Sequence, residues 1–408
     1  MSDLECWIWF SGLRRLRFRT RRALLDRYGG AKELWFADRR EIETMQGLLP
    51  EERGELLKRD ASEAVRIVRR CADEQVRILT FQDAAYPERL RAIPDPPYVL
   101  YVLGEMPDVD SLPVIAVVGT RRSSAYGDRM TRSIAGDIAA SGGIVATGLA
   151  GGIDSRAAYG ALDAGGIVIG VLGVAINRVY PAANAPLYER VKTHGALISE
   201  YPPDAEGSKE WFPQRNRIIA GLSLGVVVPE APERSGALIT AHKALDYGRD
   251  VFAVPANADS PKGRGSNRLL QEGASLIFNG WDVMECYAPL YPDRIVKAEA
   301  RFPDRTEEDA SEKKDDTAEK GNHFFSFRQP NRKRQSSDGG ILAEQLSSLT
   351  EQQLRIVGIM NQASMHVDDI IDLTQLPASV VLSELTILQI KGFVSQEQGK
   401  RFTLNIIK

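Results

Sequence analysis

The chain has 408 residues, 43% hydrophobic and 26% charged, with a formal net charge of −3. At roughly 100–200 residues per domain this makes two to four domains with real cores; it excludes a chain disordered throughout and a globally basic nucleic-acid binder, while leaving room for a local basic groove. Three cysteines (Cys6, Cys71 and Cys286), far apart and without a CxxC pair, exclude a disulfide framework and a cysteine-built metal site, and fit a reducing, cytoplasmic setting.

Residues 1–75 read as a helical domain. The apolar run Cys6–Phe10 precedes six arginines between Arg14 and Arg22, the reverse of a secretory signal. Leu13, Leu16, Thr20, Leu24 and Tyr28 keep helical spacing up to a stop at Gly29-Gly30. Further helices are expected over Asp38–Met45 and from Glu51, after the turn Gly47-Leu48-Leu49-Pro50. Short helices about a Gly-hydrophobic turn suggest a SAM or helix-hairpin-helix-like module, whose arginines either grip DNA backbone or form a solvated face.

From residue 76 the period changes. Strands are expected at Val76–Phe81 and Tyr98–Leu103, around the turn-rich Pro94-Asp95-Pro96-Pro97. Strands and helices then alternate: strand Val114–Val118, helix Asp128–Ser141, strand Gly143–Thr147, helix Ser155–Ala164, strand Ile167–Leu172. The series continues with helix Ala185–Thr193, strand Ala196–Ser199, helix Arg217–Ser223, strand Leu224–Pro229, helix Gly236–Tyr247 and strand Asp250–Val254. This predicts an α/β domain over residues 76–288, an extended Rossmann-like, doubly wound and mainly parallel sheet. Ligands of such sheets sit beyond the carboxyl ends of the strands. The longest apolar stretch, Gly165–Ile176, is about half the ~20 residues that span a bilayer, so no membrane association is expected.

Residues 289–345 read as a disordered charged linker; Pro303–Lys320 holds no large apolar side chain. Residues 346–408 return to a compact pattern, with helices at Gln352–Met360, His366–Leu373 and Pro377–Ile390 and strands at Phe393–Ser395 and Phe402–Asn405. That is winged-helix order. The expected recognition helix, Pro377–Ile390, carries Glu384 and no basic residue, and residues 341–408 hold five Lys/Arg against seven Asp/Glu. Protein contact or positioning is expected of this domain, not reading of DNA sequence.

Four loops at strand ends carry candidate chemistry. Val117–Ser124 joins a strand through Gly119 to a helix N-terminus, where Gly119, Thr120, Arg121, Arg122 and Ser123 can take an anion; the alternative is an ordinary turn with surface arginines. In Thr147–Asp154, three glycines allow close approach of backbone, and Asp154 is expected to cap the next helix. Trp211–Ala220 places aromatics beside Arg215, Asn216 and Arg217, either for stacking and phosphate pairing or for a buried network that ties loops together. Pro229–Leu238 offers Ser235 and Gly236 at another helix N-terminus, and Pro261–Asn267 offers Lys262 and Arg264 to a polymer backbone or to solvent. No GxGxxG or GK[ST] loop occurs, and His194, His242, His323 and His366 form no HExxH or His/Cys cluster. No cofactor, metal or catalytic residue is expected.

Read in order, "FQDAAYPERLRAIPDPPYVLYVLG", "VVGTRRSSAYG", "ATGLAGGIDSRAAYGAL", "GVLGVAINRVYPAANAPLYERV", "GALISEYPP", "FPQRNRIIAGLS", "EAPERSGALITAHKALDYGRDVFAVPA" and "GRGSNRLLQEGA" resemble the DNA-processing protein A (DprA/Smf) family. The resemblance implies a non-enzymatic protein that binds single-stranded DNA without strong sequence preference, protects incoming strands in natural transformation, helps load the RecA recombinase and forms homodimers. By position it puts the DNA pocket on Gly119, Thr120, Arg121 and Arg122, on Lys209, Phe212, Arg215, Asn216 and Arg217, and near Ser235 and Gly236. The chain departs from the family pattern at Asn177, commonly Asp, at Pro229, and at Ala256, commonly Gly. A second reading is a nucleoside-monophosphate hydrolase on a Rossmann-like fold, with Glu230 near Arg217 as its catalytic group. Those enzymes resemble one another in a PGGxGTxxE loop, which is missing here at Glu230–Ala237. A nicotinamide oxidoreductase is disfavoured by the absent dinucleotide fingerprint.

Overall fold

The computed structural model describes residues 1–297 and 349–404, without 361–364, 375, 392 and 398–400. The chain divides into two compact units, Met1–Glu312 and Lys313–Lys408. The expected linker from residue 298 onward lies outside the described residues. Its first part does not behave as a linker: Ile295 is buried and the Val296 N–H donates to the Ser141 carbonyl at 3.2 Å.

The first unit opens with six helices: α1 (Asp3–Gly12), α2 (Phe18–Tyr28), α3 (Ala31–Phe36), α4 (Arg39–Thr44), α5 (Pro50–Lys58) and α6 (Ser62–Asp73). Ser2 and Glu5 close a capping box over α1, whose apolar run Cys6–Phe10 is wholly buried. The helical spacing from Leu13 is interrupted, and α2 begins only at Phe18. Arg21 accounts for the break. Its guanidinium gathers the carbonyls of Phe10 (2.9 Å) and Leu13 (2.5 Å), satisfying acceptors that the end of α1 leaves open. Phe10 meets Tyr98 edge-on at 5.0 Å between ring centres, and Trp7 stacks on Tyr98 at 6.4 Å. The helices therefore share one apolar core with the sheet.

Glu52 makes a testable anchor among these helices. It is fully buried and accepts from the Arg17 Nε (2.9 Å), the Arg17 N–H (3.0 Å), the Thr20 hydroxyl (2.8 Å) and the Leu49 N–H (2.9 Å). The Arg17 side chain leads the causes that hold its carboxyl at about 2, down from 4.5. A depressed carboxyl stabilises the fold above its unfolded value, and that contribution fades as pH falls toward the folded one. Glu52→Gln is thus expected to cost about 1–3 kcal/mol near pH 7, with half-exposed Arg17 limiting the figure. The gap between variant and wild-type melting temperatures should narrow below about pH 4.5. A gap unchanged down to about pH 3 would refute the assignment.

The α/β part follows in the order β1 (Arg77–Thr80), α7 (Glu88–Arg91), β2 (Val99–Gly104), β3 (Val114–Val117), α8 (Ala125–Ala140), β4 (Ile144–Thr147), α9 (Ile153–Asp163), β5 (Val168–Leu172), α10 (Ala185–Thr193) and β6 (Gly195–Ser199). Then come α11 (Trp211–Leu222), β7 (Gly225–Val228), α12 (Gly236–Asp246), β8 (Asp250–Ala253), α13 (Arg264–Gln271), β9 (Ser275–Leu276) and α14 (Trp281–Met284). The strands form one nine-stranded sheet, ordered β1-β2-β6-β5-β4-β3-β7-β8-β9. β2 pairs antiparallel with both β1 and β6, and the remaining pairs are parallel. Alternate residues of β3 serve opposite faces. Ile115 and Val117 join the core of α8, α9 and α10, whereas Val114 and Ala116 join that of α7, α11 and α12.

Of the helices that start earlier than their patterns predict, α8 and α11 do so by the most residues. Ser124, not Asp128, sets the start of α8, because its hydroxyl accepts the Gly127 N–H at 3.0 Å. α11 begins at Trp211 and carries Pro213 in its first turn, where an N–H has no helical partner to lose. β9 was not predicted; two exposed residues make too short a pattern to read.

The second unit holds α15 (Glu351–Ile359), β10 (Met365–His366), α16 (Val367–Thr374), α17 (Ala378–Ile390), β11 (Val394–Glu397) and β12 (Arg401–Leu404). Its sheet has three strands, since β10 pairs with β12 beside the expected hairpin. Val381, Leu385 and Leu388 of α17 fill its core, and Glu384 accepts from the Gln353 amide of α15 at 2.7 Å. Among the described residues no helix is long and apolar enough to cross a membrane.

Candidate functional site

The strand order of the large sheet reverses between β3 and β7, and the loops Gly119–Ser124 and Glu230–Ser235 flank that switch point. The side chain of Glu230, only 2% exposed, crosses to the first turn of α8. One oxygen accepts the Ser124 N–H at 2.7 Å, and the other the Ser124 hydroxyl at 2.6 Å. The Glu230 carbonyl accepts the Thr120 N–H at 2.9 Å, tying the two loops together. Gly127 is required beneath this carboxylate, because a Cβ there would lie 2.5 Å from the Glu230 Oε2. The catalytic role considered for Glu230 finds no open reacting surface, and Arg217 bonds to other carboxylates.

The outer rim of the same loops is open. Arg121 and Arg122 are exposed, and the Arg121 guanidinium lies over the Phe212 ring with its Cζ 5.3 Å from the ring centre. Tyr180, 46% exposed at the end of the segment following β5, stands 5.2 Å from Phe212 with the planes inclined at 52°. Tyr180 was missed from sequence; the available signal was an aromatic in the loop that follows β5. The Lys262 ammonium donates to the Ser123 carbonyl at 3.2 Å, which brings the loop after β8 to this rim. Ser123 itself donates to Asp128. Thr120 is buried and its hydroxyl accepts the Arg122 N–H at 3.2 Å, shaping the loop from inside. Lys209 is exposed in the turn that leads into α11.

The other half of the α11 cluster faces inward, which corrects the expected role of two arginines. Arg215 is 4% exposed and donates to the Gly148 carbonyl at 2.9 Å and to the Val171 carbonyl, bridging the ends of β4 and β5. A Cβ on Gly148 would strike its guanidinium at 2.5 Å. Arg217, its side chain 14% exposed, binds both oxygens of Glu200 at 2.6 and 2.8 Å and lies 3.6 Å from Asp95. Burial alone would pull this guanidinium down, but Glu200 and Asp95 outweigh it and raise its pKa. Neither side chain reaches a strand lying outside: the one Arg217 nitrogen without a partner, Nη1, is itself buried. Trp211 is likewise buried, stacked on Tyr201 at 3.7 Å.

Asp154 does not cap α9. It sits inside the first turn, 3.4 Å from the Ala150 N–H, where burial raises its carboxyl against the pull of Arg215. Asn216 donates to the Gly236 carbonyl at 3.2 Å, linking α11 to the start of α12. Ser235 caps α12 by accepting the Ala237 N–H, and Gly236 is exposed. Arg264 is exposed at the start of α13, in a hollow shared with Glu233, Arg268 and Glu272, a mixed-charge neighbourhood. Asn177 donates to Glu74 (3.1 Å) and Asp204 (3.0 Å), so an aspartate there would meet two like charges. Ala256 exchanges two 2.9 Å hydrogen bonds with the Asn267 side chain, and its own Cβ leaves no space for one on Gly263.

The fold and rim define a class: a Rossmann-like domain with a closed switch point and a cationic, aromatic outer edge, carried in one chain with a winged helix. Residues 77–288 match the family model described as DNA recombination-mediator protein A, and residues 342–400 match the DprA winged helix domain. The chain is 37% identical over 220 residues to the DNA processing protein DprA of Bacillus subtilis, covering 54% of this chain and 74% of that one. It is 34% identical over 335 residues to protein Smf of Synechocystis, covering 79% of each. Its structure is similar to the X-ray structure of DNA processing protein A from Streptococcus pneumoniae, with a TM-score of 0.62 and 31% identity over 70% of this chain and 98% of that one. The chain belongs to the DNA processing protein A (DprA/Smf) family.

Proposed function

We propose that this protein is a non-enzymatic recombination mediator that holds single-stranded DNA along the rim formed by Arg121, Arg122, Phe212, Tyr180 and Lys262. One observation carries the reading: an exposed guanidinium laid on a half-buried aromatic ring, beside the exposed ring of Tyr180, at the ends of parallel strands. Phosphates need the cations and unpaired bases need the ring faces, whereas a duplex hides its faces in the stack. Lys209, Ser235, Gly236 and Asn216 extend the same surface, and Arg264 contributes at its margin. Arg215 and Arg217 hold the framework behind it.

Fluorescence anisotropy with short single strands and matched duplexes, at several salt concentrations, tests this. Single strands are expected to bind more tightly, with a log–log salt slope of about −2 if three cations meet phosphates. No binding at low salt would sink the rim.

Protection of incoming strands in transformation and loading of the RecA recombinase, in the cytoplasm, belong to the same proposal. So does a homodimer. The open edge at β9 leaves Leu276 49% and Phe278 65% exposed, an apolar edge that a second copy would cover. The winged helix, with Glu384 tied to α15 and no basic residue on α17, fits a positioning role. RecA filament growth on coated strands, with and without the protein, and sedimentation of the free protein would check these points; unchanged growth and a monomer are the outcomes against them.

A further inference from the structure

Doubly wound sheets usually take a ligand phosphate at the switch point, on the N-terminus of the helix that follows the first parallel strand. Here that helix is α8, and a carboxylate already occupies its first turn. We propose that Glu230 is a built-in anion that fills the phosphate position of the fold, and so makes the protein selective for the backbone of a strand over a free 5′-phosphate.

Each oxygen of Glu230 has its own donor, the Ser124 N–H at 2.7 Å and the Ser124 hydroxyl at 2.6 Å. Gly127 leaves the space that the carboxylate fills, since any side chain there would collide with Oε2. Glu230 arrives from the opposite side of the switch point, from just beyond β7, as a ligand would. An incoming phosphate would have to displace a 2% exposed carboxylate and would meet its charge. The same bonds hold the Gly119–Ser124 loop in shape without a ligand, so Arg121 and Arg122 present themselves on the rim already ordered. Anion capture is thereby moved outward, from the crevice that suits one nucleotide to an edge that suits a chain of them. The selectivity half of this proposal rests on the strand-binding reading above; the internal anion does not.

Thermal unfolding of wild type, Glu230→Ala and Glu230→Gln in inorganic phosphate, against sodium chloride of equal ionic strength, tests it. Phosphate at about 10 mM is expected to raise the melting temperature of Glu230→Ala by about 2–4 °C over chloride, because the emptied position takes the ion. Wild type and Glu230→Gln, whose side chains still fill the position, should shift by less than about 0.5 °C. An equal shift in wild type, or none in a folded Glu230→Ala, overturns the proposal. If Glu230→Ala does not fold, thymidine 5′-monophosphate with wild type decides. No stabilisation up to about 10 mM is expected, and saturable stabilisation below about 1 mM overturns the proposal. None of these arms contains DNA. Failure of strand binding alongside the expected phosphate shifts would remove the function proposed above and leave the internal anion standing.

Discussion

Arg121→Ala is expected to weaken binding of a short thymidine oligonucleotide about 10- to 30-fold, and Phe212→Ala by a similar factor. The two losses have different physics and can be told apart. Arg121 is exposed and contributes charge, so its removal should reduce the log–log salt slope by about 0.7, the share of one phosphate contact on a single strand. Phe212 contributes a ring face worth about 1–3 kcal/mol to a stacked base, so its removal should lower affinity at every salt concentration and leave the slope alone. Arg121→Lys keeps the charge but loses the flat guanidinium that lies on the ring, and should restore the slope without restoring full affinity. The double variant should lose less than the product of the single losses, since the cation and the ring support each other. Anisotropy titrations across a salt series read all four variants. Full affinity in both single variants would remove the rim as the binding surface.

Arg217→Ala should fail in the opposite way, by losing the fold before it loses the ligand. Its guanidinium is almost out of water and meets Glu200, while Asp95, held also by the Tyr247 hydroxyl at 2.6 Å, completes the group. Removing the guanidinium leaves two partly buried carboxylates without compensation, a cost toward or below the low end of the ~3–5 kcal/mol of a fully buried pair. The sheet-bearing unit should therefore melt well below wild type. Replacing the pair together, as Arg217→Met with Glu200→Gln, should recover part of the loss because only Asp95, still held by the Tyr247 hydroxyl, is then left without the guanidinium. Whatever fraction of Arg217→Ala stays folded should bind single strands with wild-type affinity. A variant of wild-type stability that lost binding would return Arg217 to the interface. Urea denaturation followed by titration at a denaturant concentration where both proteins are folded separates these outcomes.

The alternation of short apolar strands with helices was legible because each element is written in adjacent residues. Ile115 and Val117 face one way and Val114 and Ala116 the other simply by the two-residue period. Helix starts were less legible. The start of α8 at Ser124 depends on one hydroxyl–amide bond, and the early start of α11 on the tolerance of a first turn for Pro213. The extra strands β9 and β10 have two residues each, below the length at which any period is visible.

The site divides along the same line. From sequence alone came the glycine turn with Arg121 and Arg122, the aromatic–arginine cluster at 211–217, and the absence of a dinucleotide or Walker loop, all of them patterns within a dozen residues. That neither arginine of that cluster reaches the rim was decided by the tertiary structure. Arg215 and Arg217 are near neighbours in the chain, yet both turn inward, because their partners at Gly148, Val171, Glu200 and Asp95 come from four other segments. Glu230 looked like a candidate acid in a loop until folding set it against Ser124, more than a hundred residues away in the chain. Local periodicity follows from backbone geometry and is encoded in neighbours. The state of a charged side chain follows from desolvation and from partners brought together across the sheet, and only the folded chain supplies those.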